Sequence, residues 1–292
     1  MSDKAGAGTT QVDVVVIGAG AAGLMCAATA AYQGHRVLVL DHANKAGKKI
    51  LMSGGGRCNF TNLNTTPEHF VSANPHFCKS ALKRYTPWHF LELVERHGIE
   101  HVEKAPGQLF CADSAKDILG MLLTECEWAG AEIRLKTDIR RVSQTESGFS
   151  LSTSAGTVQC AKLVVACGGL SIPTMGATGF GYQLAEQFGL KVLPTRAGLV
   201  PFTLQPDDKA WLAALSGIST DVVAQTSAAS FAEPMLITHR GLSGPAMLQV
   251  SSFWTPGQPV IVDWLPQVAD LFEQLVEERR AHPNRGLERW LR

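Results

Sequence analysis

Val14, Val15, Val16 and Ile17 are consecutive β-branched residues flanked by polar ones, which predicts a buried strand over 12–17. Glycine-rich sequence ends that strand, and 23–33 reads as a helix. Ala21, Ala22, Ala27 and Ala28 let it pack closely. Gly34 closes the helix, and 36–40 is a second apolar strand ending on Asp41. A strand, a helix and a strand with short connections imply parallel strands and an α/β sheet. The first ten or so residues are small and polar, and disorder is expected there.

Beyond Asp41 the pattern turns polar and cationic. Gly47, Lys48 and Lys49, then Ser53, three glycines and Arg57, read as a loop. Helical periodicity returns over 77–97, interrupted by Pro87. Strands at 99–103 and 108–112 flank a Pro106-Gly107 turn. Residues 116–128 form an amphipathic helix, with Ile118, Leu119, Leu122 and Leu123 on one side and Gly130 closing it. Stretches at 131–135, 139–143, 148–153 and 157–160 predict a β-meander beside the main sheet. Residues 163–166 are a further strand, and 179–188 a helix. From 194 to 266, proline, serine, threonine and short apolar runs predict a mostly β domain. Val268, Leu271, Phe272, Leu275 and Val276 then follow helical spacing. The expected division is therefore 1–193, 194–266 and 267–292. The last part is expected to be an incomplete helical segment, because a fresh apolar start with Trp290 and Leu291 meets the end of the chain.

Composition narrows the class. Of 292 residues, 45% are hydrophobic and 18% charged, enough for a sizeable core and too apolar for disorder. Lys+Arg and Asp+Glu each number 26, so the formal net charge is zero. Nucleic-acid-binding domains ordinarily carry a basic excess. A nucleic-acid partner is therefore not expected, and a small-molecule substrate is. Seven scattered cysteines without a C-x-x-C pair argue against a disulfide framework or zinc site and for a cytoplasmic setting. The uncharged stretch 14–31 reaches the length of a membrane span, but its glycines and strand-like start fit a strand turning into a buried helix. No membrane association is expected. His97 and His101 lack a third ligand nearby, so no metal site is expected.

Three glycine sites carry the candidate chemistry. Gly18, Gly20 and Gly23 form G-x-G-x-x-G between a strand and a helix. That setting suits a dinucleotide: a tight turn, a close backbone approach to the pyrophosphate, and close helix–strand packing. Asp41, 18 residues after Gly23, is placed to accept from ribose hydroxyls. The second site is Ser53, Gly54, Gly55, Gly56, Arg57, Cys58 and Asn59, whose exposed amides suit an anion or a flavin edge. The alternative for it is a structural turn held by Asn59 and Asn62. The third is Cys167, Gly168 and Gly169 at the end of a strand, followed by a Gly/Thr-rich helix start. A ligand spanning all three would be long, as FAD is.

The strings GAGAAG…VLVLD, GKKILMSGGGRCNFTN, VVACGGLSIPTMGATGFGY and THRGLSGPAMLQVSS occur in that order. Together they resemble the BaiN/YhiN-like family of NAD(P)/FAD-dependent oxidoreductases, which includes aminoacetone-oxidase-family flavoproteins. The resemblance covers roughly 12 to 266. It implies a Rossmann-like FAD-binding domain of two-dinucleotide-binding type, with an inserted mostly β domain and a small helical piece. It also implies that Gly18, Gly20, Ala21, Ala22 and Gly23 hold the pyrophosphate and Asp41 the ribose, where the family more often has Glu. Lys48, Lys49 and the Gly54, Gly55, Gly56, Arg57, Cys58, Asn59 loop would line the FAD. Gly168 and Gly169 would pass near it, and Ile139 would lie near the adenine. Family members end in a further glycine-rich segment beside the flavin, and nothing after 266 resembles it.

Candidates for catalysis are few. His239 and Arg240 lie in a turn between strands, where histidine could relay protons and arginine could hold a carboxylate. Gly241 and Gly244 favour a purely structural turn there. Cys58 would sit by the flavin, but it has no partner cysteine at redox spacing. The expected activity is transfer of a hydride or two electrons between a small molecule or NAD(P)H and bound FAD. A substrate is expected to enter between the FAD domain and the β domain. The alternatives are a flavin-independent NAD(P) dehydrogenase and a non-catalytic FAD-binding protein.

Overall fold

The computed structural model describes residues 8–286, and the helix start expected near the C-terminus falls on 287–292, outside that range. The chain divides into two compact units, Met1–Leu193 and Pro194–Arg292. The first contains, in order, β1 (Thr9–Ile17), α1 (Ala21–Tyr32), β2 (Val37–Leu40), α2 (Lys48–Met52), β3 (Asn59–Asn62), α3 (Lys79–Arg84), α4 (Pro87–Arg96), β4 (His101–Ala105) and β5 (Gln108–Cys111). It continues with α5 (Ala115–Ala129), β6 (Glu132–Arg134), β7 (Ile139–Thr145), β8 (Gly148–Thr153), β9 (Gly156–Val165) and α6 (Phe180–Gln187).

The main sheet has six strands in the order β6-β2-β1-β9-β8-β7. β6, β2, β1 and β9 run parallel, while β7, β8 and β9 form an antiparallel meander. The meander is therefore not beside the sheet, as the sequence suggested. β9 is one ten-residue strand that closes the meander and pairs with β1 along its whole length. Ala161 and Lys162 interrupt its apolar pattern, which is why it reads as two strands. Thr9 and Thr10 are ordered by the same pairing, opposite Thr157 and Val158. Val14, Val16, Val37 and Val39 face Leu24, Ala27, Ile118 and Leu122 in one core. Val15, Ile17, Leu38 and Leu40 face Leu151, Val158 and Leu184 in another. Burial on both faces explains the unbroken apolar runs of β1 and β2. β3, β5 and β4 form a small separate antiparallel sheet.

The second unit carries β10 (Phe202–Thr203), α7 (Pro206–Leu212), β11 (Ser219–Gln225), β12 (Ser230–Thr238), β13 (Gly241–Ser243), α8 (Pro245–Ser251), β14 (Ile261–Asp263) and α9 (Leu271–Ala281). Its five strands are antiparallel in the order β10-β13-β12-β11-β14. Val222, Met235 and Ile237 pack on Ala246, Met247 and Val250 of α8. The expected amphipathic helix forms as α9, but Val268 lies before it and none of its residues is buried; Phe272 is 78% exposed. All seven cysteines are free, and no described helix is long and apolar enough to cross a membrane.

A buried carboxylate ties α4 to α5. Glu125 Oε1 accepts from His97 Nε2 at 2.6 Å and from Arg96 Nη2 at 3.1 Å. Burial pushes the Glu125 pKa up, but hydrogen bonds from His97 and Tyr32 and the Arg96 charge outweigh it, so the net shift is down. The contribution of this carboxylate is therefore complete above its unfolded pKa of ~4.3 and is lost as pH falls through the lower folded value. Glu125→Gln is expected to lower stability by about 1–3 kcal/mol near neutral pH. Urea unfolding at a series of pH values should show this difference shrinking in acid, and a gap independent of pH would contradict the assignment.

Candidate functional site

The end of β1 and the start of α1 fix the first element of the site. Gly18 has φ +109°, and a Cβ there would sit 2.5 Å from the Ala166 carbonyl oxygen. A Cβ on Gly23 would lie 1.8 Å from the Gly18 carbonyl oxygen. Neither position admits a side chain, because strand, helix and the exit of β9 touch through their backbones. Gly20 differs: a Cβ there meets nothing within 4 Å, so its missing side chain leaves open space. Gly20 is the N-cap of α1, with no side-chain cap and no acidic residue in the first turn. The leading amides of a twelve-residue helix are therefore uncapped by any side chain, which suits an anion.

These amides open on a cavity of about 480 Å³. Gly18, Gly20, Ala21, Ala22, Asp41, Lys48, Lys49, Cys58, Asn59 and Gly168 all line it. Lys45 joins the two expected lysines, and Asp41 is the one carboxylate among the lining residues. Asp41 also holds the turn: its Oδ2 accepts from the Ala19 amide at 2.7 Å and its Oδ1 from the Ala43 amide at 2.8 Å. Lys49 Nζ donates to Ser171 Oγ at 3.2 Å, joining α2 to the segment after β9. A second cavity of about 250 Å³ contains Ile139, Thr137 and Asp138, and shares Gly18, Asp41 and Cys167 with the first.

The expected loop is partly helical, since Lys48–Met52 forms α2 and 53–56 a 3-10 turn. Gly54, Gly55 and Gly56 all have positive φ, at +58°, +66° and +85°, and Cys58 follows at +50°. That run explains the triple glycine by conformation. A Cβ on Gly54 would strike the Asn59 amide nitrogen, whereas Gly55 and Gly56 face open space. Of this loop, Ser53, Cys58 and Asn59 reach the large cavity; Gly54, Gly55, Gly56 and Arg57 line neither cavity. Gly169 and Gly23 line neither as well. Burial pushes the Cys58 thiol up, which keeps the sulfur protonated.

Pattern reading did not single out His42, Met175 or Phe90 as lining residues, whereas Phe60 and Gly176 fall within the second and third glycine-rich segments. Ile118 and Leu122 were visible only as a helix face, and they also wall the cavity. His239 and Arg240 lie in the second unit, exposed, as the two-residue turn between Thr238 and Gly241 of β12 and β13. Thr238 Oγ1 accepts from the amides of Arg240 and Gly241 and stabilises that turn.

The donor set fits FAD: uncapped helix amides and lysines for the two phosphates, a carboxylate for a ribose, and adjoining space at both ends. Comparison with known proteins agrees on a Rossmann domain. A family model described as the HI0933-like protein Rossmann domain matches residues 12–237, and one described as the HI0933-like protein barrel and H2TH domain matches 196–292. The chain is 54% identical over 280 residues to a ribosomal RNA dihydrouridine synthase of Escherichia coli, covering 96% of this chain and 70% of that protein. A protein of the same name from Haemophilus influenzae is 49% identical, with 94% and 69% covered. A 3-dehydro-bile acid delta(4,6)-reductase of Clostridium scindens is 29% identical, with 87% and 64% covered.

The names of the first two relatives overturn the expectation of no nucleic-acid partner. Net charge is a sum over the whole chain and is blind to local arrangement; residues 69–91 hold Lys79, Lys83 and Arg84 without one Asp or Glu. By motif, fold and family model together, this chain is a flavoprotein oxidoreductase that belongs to the HI0933-like family, the group to which the BaiN/YhiN-like resemblance pointed.

Proposed function

We propose that the protein is an FAD-dependent reductase that converts a uridine of ribosomal RNA to dihydrouridine. The observation that carries this reading is the 54% identity, over 96% of the chain, to a relative with that name. When bound in its reduced form, FAD would supply a hydride to one carbon of the uracil C5–C6 double bond and be left oxidised, while a proton drawn ultimately from solvent would add to the other carbon. NAD(P)H is the proposed donor that restores the reduced cofactor. The amides of Gly20, Ala21 and Ala22, with Lys48 and Lys49, would hold the pyrophosphate. Asp41 would hold a ribose at the junction of the two cavities, and the smaller cavity beside Ile139 would take the adenine. Cys58, Asn59, Phe60 and Phe90 would border the remaining part of the large cavity. A ribosomal RNA substrate accords with a cytoplasmic setting and with seven free thiols.

Two glycines separate folding from cofactor binding. Gly20→Val places its side chain in open space at φ −90°, so thermal unfolding of the cofactor-free protein should change little. FAD affinity should fall by about 100-fold, or ~2.7 kcal/mol. Gly23→Val, which meets backbone at 1.8 Å, should lower both the melting temperature and FAD binding. Titration of FAD into both variants, followed by flavin fluorescence, checks the contrast. Unchanged FAD affinity in Gly20→Val would remove the cradle assignment.

Ribosomal RNA incubated with the FAD-loaded protein and NAD(P)H is expected to gain dihydrouridine, detected as a nucleoside two mass units heavier than uridine. Loss of dihydrouridine formation in Gly20→Val should accompany its loss of FAD. Flavin reduction by NAD(P)H with no change in the RNA would sink the substrate reading and leave a flavin oxidoreductase of another substrate.

A further inference from the structure

Three aromatic rings stand in solvent around one cleft away from the dinucleotide cradle. Trp128 near the end of α5 is 65% exposed, Tyr32 at the end of α1 54%, and Tyr85 just after α3 42%. They line a cavity of about 630 Å³ together with His89 and Arg96. Met25 borders both this cavity and the cofactor cavity. Two of the rings are held flat from one side. Trp128 stacks on His97 with centroids 5.2 Å apart and planes 20° apart, and Tyr85 on His89 at 5.6 Å and 23°. The Arg96 side chain, its guanidinium anchored on Glu125, remains 63% exposed.

Charges of both signs adjoin the cleft: Arg84 directly precedes the lining residue Tyr85, while exposed Glu95 and Glu127 are sequence neighbours of Arg96 and Trp128. Lys79, Lys83 and Arg84 are exposed on and around α3, and no Asp or Glu occurs between Glu68 and Glu92. Glu125 and Glu92 are the acids within the cleft. Glu125 is already engaged by Arg96 and His97, and Glu92 can accept from base amino groups. Braced rings, a planar guanidinium and flanking cations match unpaired nucleotides better than an apolar polypeptide, because bases stack on aromatic faces while phosphates meet cations.

We propose that this cleft binds unstacked bases of a single-stranded RNA segment, with Lys83 and Arg84 meeting its phosphates. The inference deepens the ribosomal RNA reading and rests on it. The test is fluorescence anisotropy of a labelled, uridine-containing single-stranded RNA with the FAD-loaded protein. Trp128→Ala and Tyr85→Ala should each weaken binding by about tenfold, while Trp128→Phe keeps most of it. Lys83→Gln with Arg84→Gln should flatten the log–log salt dependence by about 1.4. The flavin spectrum and melting temperature should stay as in the parent protein. Tyr85→Ala and the charge variant carry the test if Trp128→Ala destabilises the fold. Unchanged RNA affinity in folded, flavin-loaded variants overturns the proposal, as does unchanged affinity with a shifted monomer–dimer equilibrium, which would give the cleft to a protein partner. Dihydrouridine formation is read in parallel. If it persists while RNA affinity is unchanged in the variants, the cleft alone fails; RNA binding through the cleft without dihydrouridine fails the substrate reading alone.

Discussion

Backbone meets backbone where β1, α1 and the exit of β9 converge, and the site is arranged around that contact. Gly23 lets α1 descend onto the Gly18 carbonyl, and Gly18 lets the β1 turn pass against Ala166 and Cys167. With side chains at either position the helix would stand off and its leading amides would no longer face the cavity. The close approach also places the end of β9 beside the first turn, although the two are distant in sequence. Glycine is used here for the absence of a Cβ more than for flexibility.

Polar groups lock what the glycines permit. Asp41 bonds the amides of Ala19 and Ala43, so one carboxylate fixes both the first turn and the loop after β2. Lys49 reaches Ser171 across from α2. Lys45, Lys48 and Lys49 line a cavity with one carboxylate, so a dianionic pyrophosphate bound there would meet a complementary field despite a neutral chain. The apolar walls, Ile118 and Leu122 from α5, belong to the main core as well. Core packing and cavity shape are thus set by the same side chains.

Zero net charge suggested a protein without nucleic-acid partners, and the identity to ribosomal RNA dihydrouridine synthases corrected that. Charge balance over 292 residues coexists with a run of 23, from 69 to 91, that holds three cations and no acid. Electrostatic recognition acts over about a Debye length, ~8–10 Å, so local clustering matters and the sum does not.

The sequence by itself determined the nucleotide-binding half of the fold. A β-branched run, G-x-G-x-x-G, an alanine-rich helix and a strand ending in Asp41 are local signals, each imposed by backbone geometry between near neighbours. The SGGGRCN string likewise marked a loop, although its run of positive φ emerged only in the structure. Tertiary structure decided the rest. It made 156–165 one strand by pairing it with β1, which a pattern broken by Ala161 and Lys162 could not show. It put Cys58 and Asn59 on the cavity wall, which Gly54, Gly55, Gly56 and Arg57 do not line. It also gathered Tyr32, Tyr85 and Trp128 from three separate helical segments into one cleft. Such groupings depend on how elements pack across long sequence separations, and no local periodicity encodes them.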